Sequence, residues 1–165
     1  AMHFNTRYIC TTQNWFGGGM DVTPSIKDKK EEKNFHLSLK KMCNRHNKKY
    51  YKRYKEWCDK YFYLPHRSEA RGIGGIFFDY KKNNFERDFK FVRDVGVTFQ
   101  MIFNNIIEKK IHKKWTLKDK EMQYIKRGRY AEFNLLYDRG TKFGLQTGGN
   151  VEGILMSLPP IAKWK

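Results

Sequence analysis

The stretch that decides the fold is Trp15-Phe16-Gly17-Gly18-Gly19-Met20-Asp21-Val22-Thr23-Pro24. Three consecutive glycines between an aromatic pair and an aspartate predict a tight turn, with Asp21 as an Asx or helix N-cap residue. A second interpretation is that the glycines, which lack a Cβ atom, bring the backbone close to something flat or bulky and offer the Asp21 carboxylate to it. Spacing alone favours the turn, and the surrounding residues favour the second interpretation.

Residues 3–10 come before this stretch and are predicted to form a β-strand. Alternation with period two places His3, Asn5 and Arg7 on one face. A histidine, an amide and a guanidinium in one row are unusual for a core, and they indicate either a polar binding wall or a solvent-exposed face. The opposite face carries Phe4, Thr6, Tyr8 and Cys10.

The charge balance limits the classes of partner. The chain has 34 Lys plus Arg against 17 Asp plus Glu, which gives a formal net charge of +17. This excess fits nucleic acid, an anionic membrane surface or a polyanionic small molecule. Because the sequence has no RNP, KH, helix-turn-helix, zinc-finger or P-loop signature, nucleic acid is not the expected partner.

Length and cysteine content predict one domain in a reducing compartment. A chain of 165 residues is enough for a single domain with a real core. Three cysteines without a CxxC pair argue against a disulfide framework and a zinc ribbon, and they predict a cytoplasmic location. No apolar run approaches the roughly 20 residues that cross a bilayer, so no integral membrane segment is expected.

Hydrophobic periodicity predicts an α+β fold with an antiparallel sheet. Helices are expected at residues 28–45, 48–63, 85–110 and 117–127, and a glycine-bearing strand at residues 73–79. Residues 130–137 alternate in polarity, and a turn signal at residues 138–140 follows them, so residues 130–145 are predicted to form a β-hairpin.

Five arginines lie beside predicted strand ends and glycine loops: Arg7, Arg67, Arg71, Arg129 and Arg139. Because the planar guanidinium group binds carboxylates bidentately, this set indicates a flat ligand with several carboxylates. A metal site is the weaker interpretation, since the five histidines include no HxH or HxxxH pair. No motif supports a Ser-His-Asp or Cys-His nucleophile.

Six stretches in colinear order resemble oxygen-dependent coproporphyrinogen III oxidase: residues 3–8, 15–24, 50–59, 66–79, 127–135 and 138–160. The resemblance implies a large antiparallel sheet flanked by helices on both faces, in a homodimer. It implies oxidative decarboxylation of two propionates of coproporphyrinogen III to vinyl groups, giving protoporphyrinogen IX in haem biosynthesis. O₂ is the implied co-substrate, with CO₂ and hydrogen peroxide as products. No organic cofactor is implied, and a divalent metal is an open question for the family.

The resemblance also implies roles for individual residues. His3 matches the family's proposed proton donor, and Asp21 matches the aspartate thought to contact the pyrrole N–H groups, so both are predicted to be catalytic. The predicted substrate-binding residues are Asn5, Thr6, Arg7, Arg67, Arg71, Gly148, Gly149 and Asn150. The histidines that match proposed metal ligands are His3, His36 and His66. The region from residue 130 onward matches the segment linked to dimer contacts.

Two departures from the family pattern bear on activity. The family's second glycine loop usually has an arginine and a serine where this chain has Asn150 and Gly153, which weakens propionate binding. Family members also carry an upstream portion of roughly a hundred residues. Residues 1–165 are therefore expected to form a single domain, the C-terminal portion of the family domain. The alternative function is a truncated, catalytically impaired homologue that binds porphyrinogen or dimerises, and nucleic-acid binding ranks third.

Overall fold

The computed structural model describes residues 1–164, and the predicted α+β class is confirmed. The strands are β1 (Met2–Ile9), β2 (Trp15–Val22), β3 (Tyr63–Leu64), β4 (Glu69–Ala70) and β5 (Gly74–Lys81). The helices are α1 (Lys29–His46), α2 (Tyr50–Tyr61), α3 (Phe85–Lys110), α4 (Leu117–Leu136), α5 (Arg139–Gln146) and α6 (Val151–Leu155). A single 3₁₀ turn at Pro65–Arg67 separates β3 from β4.

The main sheet has three antiparallel strands in the order β1-β2-β5, and β3 pairs separately with β4. In the central strand, Asp21 lies between His3 of β1 and Gly75 of β5. The outer edge of β1 has no strand partner within residues 1–164. The described residues therefore confirm that the sheet is antiparallel, but it has three strands, and the large sheet that the resemblance implies is not confirmed.

The glycine-rich stretch is a β-strand, so the predicted tight turn is wrong. Residues 17–19 lie inside β2, where all three pair with β1 and Gly18 and Gly19 also pair with β5. A Cβ atom added at Gly18 or Gly19 would lie 2.6 or 2.4 Å from a carbonyl oxygen of a neighbouring strand. Glycine is therefore required here because the backbones of three strands approach closely. A run of glycines looks the same in the sequence whether a turn or such close packing requires it.

One face of the sheet packs against α1 and α3 to form the main core. Buried side chains of β2 and β5 meet apolar residues of the helices: Phe16, Met20, Ile76, Phe78, Phe35, Leu39, Met42, Phe91, Val92 and Val95. The predicted helices at residues 28–45, 48–63 and 85–110 are confirmed within a few residues. Asp28 and Asn84 begin α1 and α3 as N-caps, since their side chains accept backbone N–H hydrogen bonds. Although α3 has 26 residues, no helix within residues 1–164 is apolar enough over its length to cross a membrane.

The predicted hairpin at residues 130–145 is wrong, because this region is helical. α4 begins with a capping box between Thr116 and Asp119 and continues past residue 127 to Leu136. Tyr130 and Phe133 are buried on its inner side, with helical spacing. After one turn, α5 begins at an N-cap, Asp138, whose side chain accepts a hydrogen bond from the Thr141 N–H at 2.7 Å.

Gly75 offers a direct test of the tight sheet. A Cβ atom at this position would lie 2.0 Å from the carbonyl oxygen of Met20, so Gly75→Ala must push β5 away from β2. We expect a loss of about 3 kcal/mol in the free energy of unfolding, measured by urea denaturation. The matched control is Gly153→Ala in α6, where no atom lies within 4 Å and the stability should stay equal or rise slightly. Equal stabilities of the two variants would contradict this account of the sheet.

Candidate active site

The face of the sheet opposite the main core carries a row of polar side chains and three buried glycines. Alternation along the strands brings His3, Asn5, Arg7, Asp21 and Asp79 to this side. Between them lie the buried ring of Phe77, opposite Gly19, and three glycines that carry no side chain: Gly17, Gly19 and Gly75. We call this surface the polar sheet face. It confirms that His3, Asn5 and Arg7 share one face.

The first cluster on this face is built around Asp21, whose residue is only 4% exposed. The Asp21 carboxylate forms an ion pair with the guanidinium of Arg71, which is also 4% exposed. It lies 3.2 Å from Nδ1 of His3, the residue opposite it in β1. The backbone N–H of Arg71 donates to the carbonyl oxygen of Phe62 at 3.0 Å, and this bond fixes the approach of the arginine. The predicted catalytic pair and one predicted substrate arginine are therefore in contact.

Aromatic rings enclose the His3–Asp21–Arg71 cluster. The Arg71 guanidinium carbon lies 3.9 Å from the ring centre of Phe62 and 4.9 Å from that of Phe133. The Tyr130 hydroxyl lies 2.9 Å from Nε2 of His3, so α4 closes this end of the polar sheet face. Sequence reasoning missed these rings as site residues. Tyr130 and Phe133 could have been identified as site residues because they lie in residues 127–135, a stretch that carries the family resemblance. The hairpin predicted for residues 130–145 obscured this, since it placed them on strands.

A second cluster lies at the more open end of the polar sheet face. Arg7 donates from Nη2 and Nε to Oδ1 of Asp79, at 2.5 and 3.1 Å, and from Nη1 to Oδ1 of Asn5 at 3.0 Å. A Cβ atom on Gly17 would lie 2.1 Å from the same Asp79 oxygen, so only glycine leaves room for this pair. Thr6 is separated from its predicted partners, because it points to the other face and lines a groove against α3.

A third cluster connects the 3₁₀ turn to α4. Arg67 binds Glu132 bidentately through one edge of its guanidinium: Nη2 donates to Oε1 at 2.5 Å and Nε donates to Oε2 at 3.0 Å. Nε2 of His66 lies 2.8 Å from Oε2 of Glu132, and Arg129 adds a contact of 3.4 Å. The hydrogen bonds from Arg67, followed by that from His66, lower the pKa of Glu132 from 4.5 to about 2. Glu132 is therefore a carboxylate at every physiological pH.

Each arginine that was predicted to bind substrate already has a carboxylate partner in the chain. Arg7 pairs with Asp79, Arg67 with Glu132 and Arg71 with Asp21. The three guanidinium groups are therefore already oriented to bind carboxylates. A carboxylate of a ligand has to share each guanidinium with its partner in the chain or replace that partner.

The three histidines predicted as metal ligands lie in three different places. His3 contacts Asp21 and Tyr130, whereas His66 contacts Glu132 and Tyr137. Nε2 of His36 lies 2.9 Å from the carbonyl oxygen of Ile73 and is its hydrogen-bond donor, and burial lowers the pKa of this imidazole. Among residues 1–164, no three His, Cys, Asp or Glu side chains form a group suited to a metal. The predicted histidines therefore do not fit a shared metal ion.

The second glycine loop lies between α5 and α6. The hydrogen bonds of Gly148, Gly149 and Asn150 run within residues 144–154, where the Asn150 side chain caps α6. All three residues are exposed. Their role in substrate binding stays a prediction.

The Glu132 cluster makes stability depend on pH. Because the folded-state pKa of Glu132 is lowered, its contribution is full above about pH 4.5 and is lost as the pH falls toward 2. We expect Glu132→Gln to lower the free energy of unfolding by about 2 kcal/mol near neutral pH, since it removes hydrogen bonds to charged donors. The variant should also lose less stability than the wild type as the pH falls through this window. Denaturation at several pH values measures both effects.

The control for this experiment is Glu56→Gln on the exposed side of α2, where the carboxylate has no ion pair among residues 1–164. It should leave both the stability and its pH dependence unchanged. Parallel pH curves for Glu132→Gln and the wild type would show that the cluster does not stabilise the fold.

Comparison with known proteins agrees with this geometry. The family model described as coproporphyrinogen III oxidase matches residues 1–165. The chain is 57% identical over 165 residues to the oxygen-dependent coproporphyrinogen-III oxidase of Rickettsia rickettsii (strain Sheila Smith), and 56% identical to that of Rickettsia bellii (strain OSU 85-389). These alignments cover 99% of this chain but 59% of the length of each relative. The chain belongs to the coproporphyrinogen III oxidase family.

Proposed function

We propose that this chain binds coproporphyrinogen III and takes part in its O₂-dependent decarboxylation to protoporphyrinogen IX. The observation that carries the proposal is the buried Asp21 carboxylate at one end of the polar sheet face, held between His3 and Arg71. The names of the similar rickettsial proteins support the choice of substrate.

The shape and charge of the substrate fit the polar sheet face. Coproporphyrinogen III is a macrocycle with four propionates at its rim and four pyrrole N–H groups at its centre. Gly17, Gly19 and Gly75 add no side chains to this face, but all three are buried. We propose that a broad ring reaches their backbone after the covering side chains, which at Gly17 are Arg7 and Asp79, move aside. Arg7, at the open end of this face, is a suitable partner for a propionate, and Asp21 for the N–H donors.

The proposed chemistry balances with O₂ as the oxidant. Each propionate loses CO₂ and two electrons to become a vinyl group, while O₂ takes up the two electrons and two protons to become hydrogen peroxide. One of these protons comes from the propionate side chain and one from outside it. We assign Asp21 to accept or stabilise a pyrrole proton, which makes the pyrrole electron-rich enough to reduce O₂ directly, and to return any accepted proton to the nitrogen once the vinyl group has formed. His3 then supplies the external proton, since its imidazole contacts both Asp21 and the Tyr130 hydroxyl.

Access to Asp21 requires a movement at the closed end of the site. The carboxylate is covered by Arg71, and His3 is covered by Tyr130 of α4. We propose that the substrate displaces these side chains and that the Arg71 guanidinium then turns to a propionate. No organic cofactor enters this scheme.

Further parts of the proposal rest on the family resemblance. We propose that residues 1–165 act as one domain within a cytoplasmic homodimer. A larger sheet with helices on both faces would grow from the outer edge of β1, which is unpaired within residues 1–164.

A second candidate function follows from the share of each relative that the chain spans, which is 59%. In this alternative, the chain binds porphyrinogen or dimerises without turnover. Incubation with coproporphyrinogen III and O₂, followed by fluorescence of the oxidised product, separates the two functions. Binding without product supports the second, and product supports the first.

Asp21 is the critical residue of the proposed reaction. Asp21→Asn keeps the shape of the side chain but removes the charge, so we expect kcat to fall by about 100-fold or more. The control is Asp94→Asn, which removes another ion-paired carboxylate that contacts Arg45 and His46 outside the polar sheet face. A kcat for Asp21→Asn within about threefold of the wild type would show that Asp21 has no central role.

Arg7 is expected to act in binding rather than in chemistry. Arg7→Lys keeps the charge but loses the planar fork, so KM should rise about tenfold while kcat stays within about threefold. If the chain binds without turnover, the same rise should appear in the Kd for coproporphyrin III. The matched control is Arg45→Lys, an exposed arginine that pairs with Asp94. An unchanged KM or Kd for Arg7→Lys would remove Arg7 from the substrate site.

A further inference from the structure

The connection between α3 and α4 exposes large apolar side chains among lysines. Ile111, Trp115 and Leu117 are 65, 67 and 84% exposed. Ile26, which is also exposed, comes from the segment before α1 and lines one 260 Å³ cavity together with Trp115. We call these four residues, with Lys113 and Lys114, the basic–apolar patch.

The charge of this connection is strongly positive. Residues 109–120 contain six lysines and a single acidic residue, Asp119. Two lysines are used within the fold, because Lys109 pairs with Glu31 at 3.4 Å and Lys110 with Asp28 at 2.5 Å.

The remaining charges of the patch face solvent. The Asp119 carboxylate is used in the capping box of α4, where it accepts hydrogen bonds from Thr116. Lys113 and Lys114 are exposed and have no ion pair among residues 1–164. The patch therefore combines ammonium groups without an ion pair among residues 1–164 with exposed apolar side chains next to them in the sequence.

We propose that the basic–apolar patch docks the protein on the surface of an anionic phospholipid bilayer. Aliphatic side chains and a tryptophan partition into the boundary between headgroups and acyl chains, where the indole N–H stays hydrated. Lysines extend their ammonium groups to lipid phosphates while their methylene chains cover apolar surface. The complementary charge of the bilayer identifies the partner.

The composition of the patch favours a bilayer over RNA. RNA-binding surfaces stack bases on aromatic rings or arginine, and the patch has one aromatic ring and no arginine. Its apolar area is mostly aliphatic, which bases do not require. The patch is also separate from the candidate active site, since Trp115 lies 15 residues, or about 20 Å along α4, before Tyr130.

Co-sedimentation with vesicles tests this proposal. The purified chain should bind vesicles of phosphatidylcholine with phosphatidylglycerol, bind much less to phosphatidylcholine alone, and bind less as salt rises. Trp115→Ala and the double variant Lys113→Glu/Lys114→Glu should each lower the partition coefficient by at least about tenfold. All three positions are exposed, so circular dichroism should show an unchanged fold.

Two matched controls make the test specific. Lys48→Glu/Lys49→Glu changes the net charge equally at exposed positions between α1 and α2, and Phe143→Ala removes an aromatic ring that is also largely exposed. Both should change the partition coefficient by less than about threefold. The proposal would be overturned if the chain did not bind the anionic vesicles, or if a control lowered the partition coefficient as much as its matched variant. It would also be overturned if the same lysines bound polyuridylate RNA more tightly than they bind the vesicles.

Discussion

The structure depends on one buried ion pair, between Asp21 and Arg71. Removing two charges from water costs several kcal/mol for each ion, and an apolar pair of the same size would stabilise the fold as well or better. The cost is offset by the direct contact and by the rings of Phe62 and Phe133 against the guanidinium. The pair connects the central strand to the end of α2 through Phe62 and to α4 through Phe133. The proposed function gives a reason for a carboxylate at this position, because the proposed reaction needs one.

The other arginines of the site are also paired with carboxylates of the chain. Arg7 and Arg67 are held by Asp79 and Glu132, so the chain supplies its own carboxylates wherever propionates are expected. This arrangement keeps the guanidinium groups oriented without the substrate. In the proposed complex, binding is an exchange of one carboxylate for another, which costs less than desolvating unpaired arginines. The glycines of β2 serve this arrangement, because a side chain at position 17 would occupy the space of the Arg7–Asp79 pair.

Much of the fold follows from sequence periodicity, and the failures have local causes. The amphipathic patterns of α1, α2 and α3 predicted their positions, because each buries one stripe against the sheet. Residues 130–137 alternate in polarity and also repeat at helical spacing, and only the capping box at Thr116 and the packing of Phe133 decide for helix. In the site, the shared face of His3, Asn5 and Arg7 followed from period two. The partners Asp79, Glu132 and Tyr130 did not, because they come from distant parts of the chain.

The central claim is that the polar sheet face holds the macrocycle, with Asp21 addressing its centre. The most direct measurement is a crystal structure of the chain with coproporphyrin III, the stable oxidised form of the proposed substrate. The account predicts the ring above Gly17, Gly19 and Gly75, with its pyrrole nitrogens toward Asp21 and the Asp21–Arg71 contact opened. A ring bound elsewhere, with that contact intact and no porphyrin atom near Asp21, would contradict it.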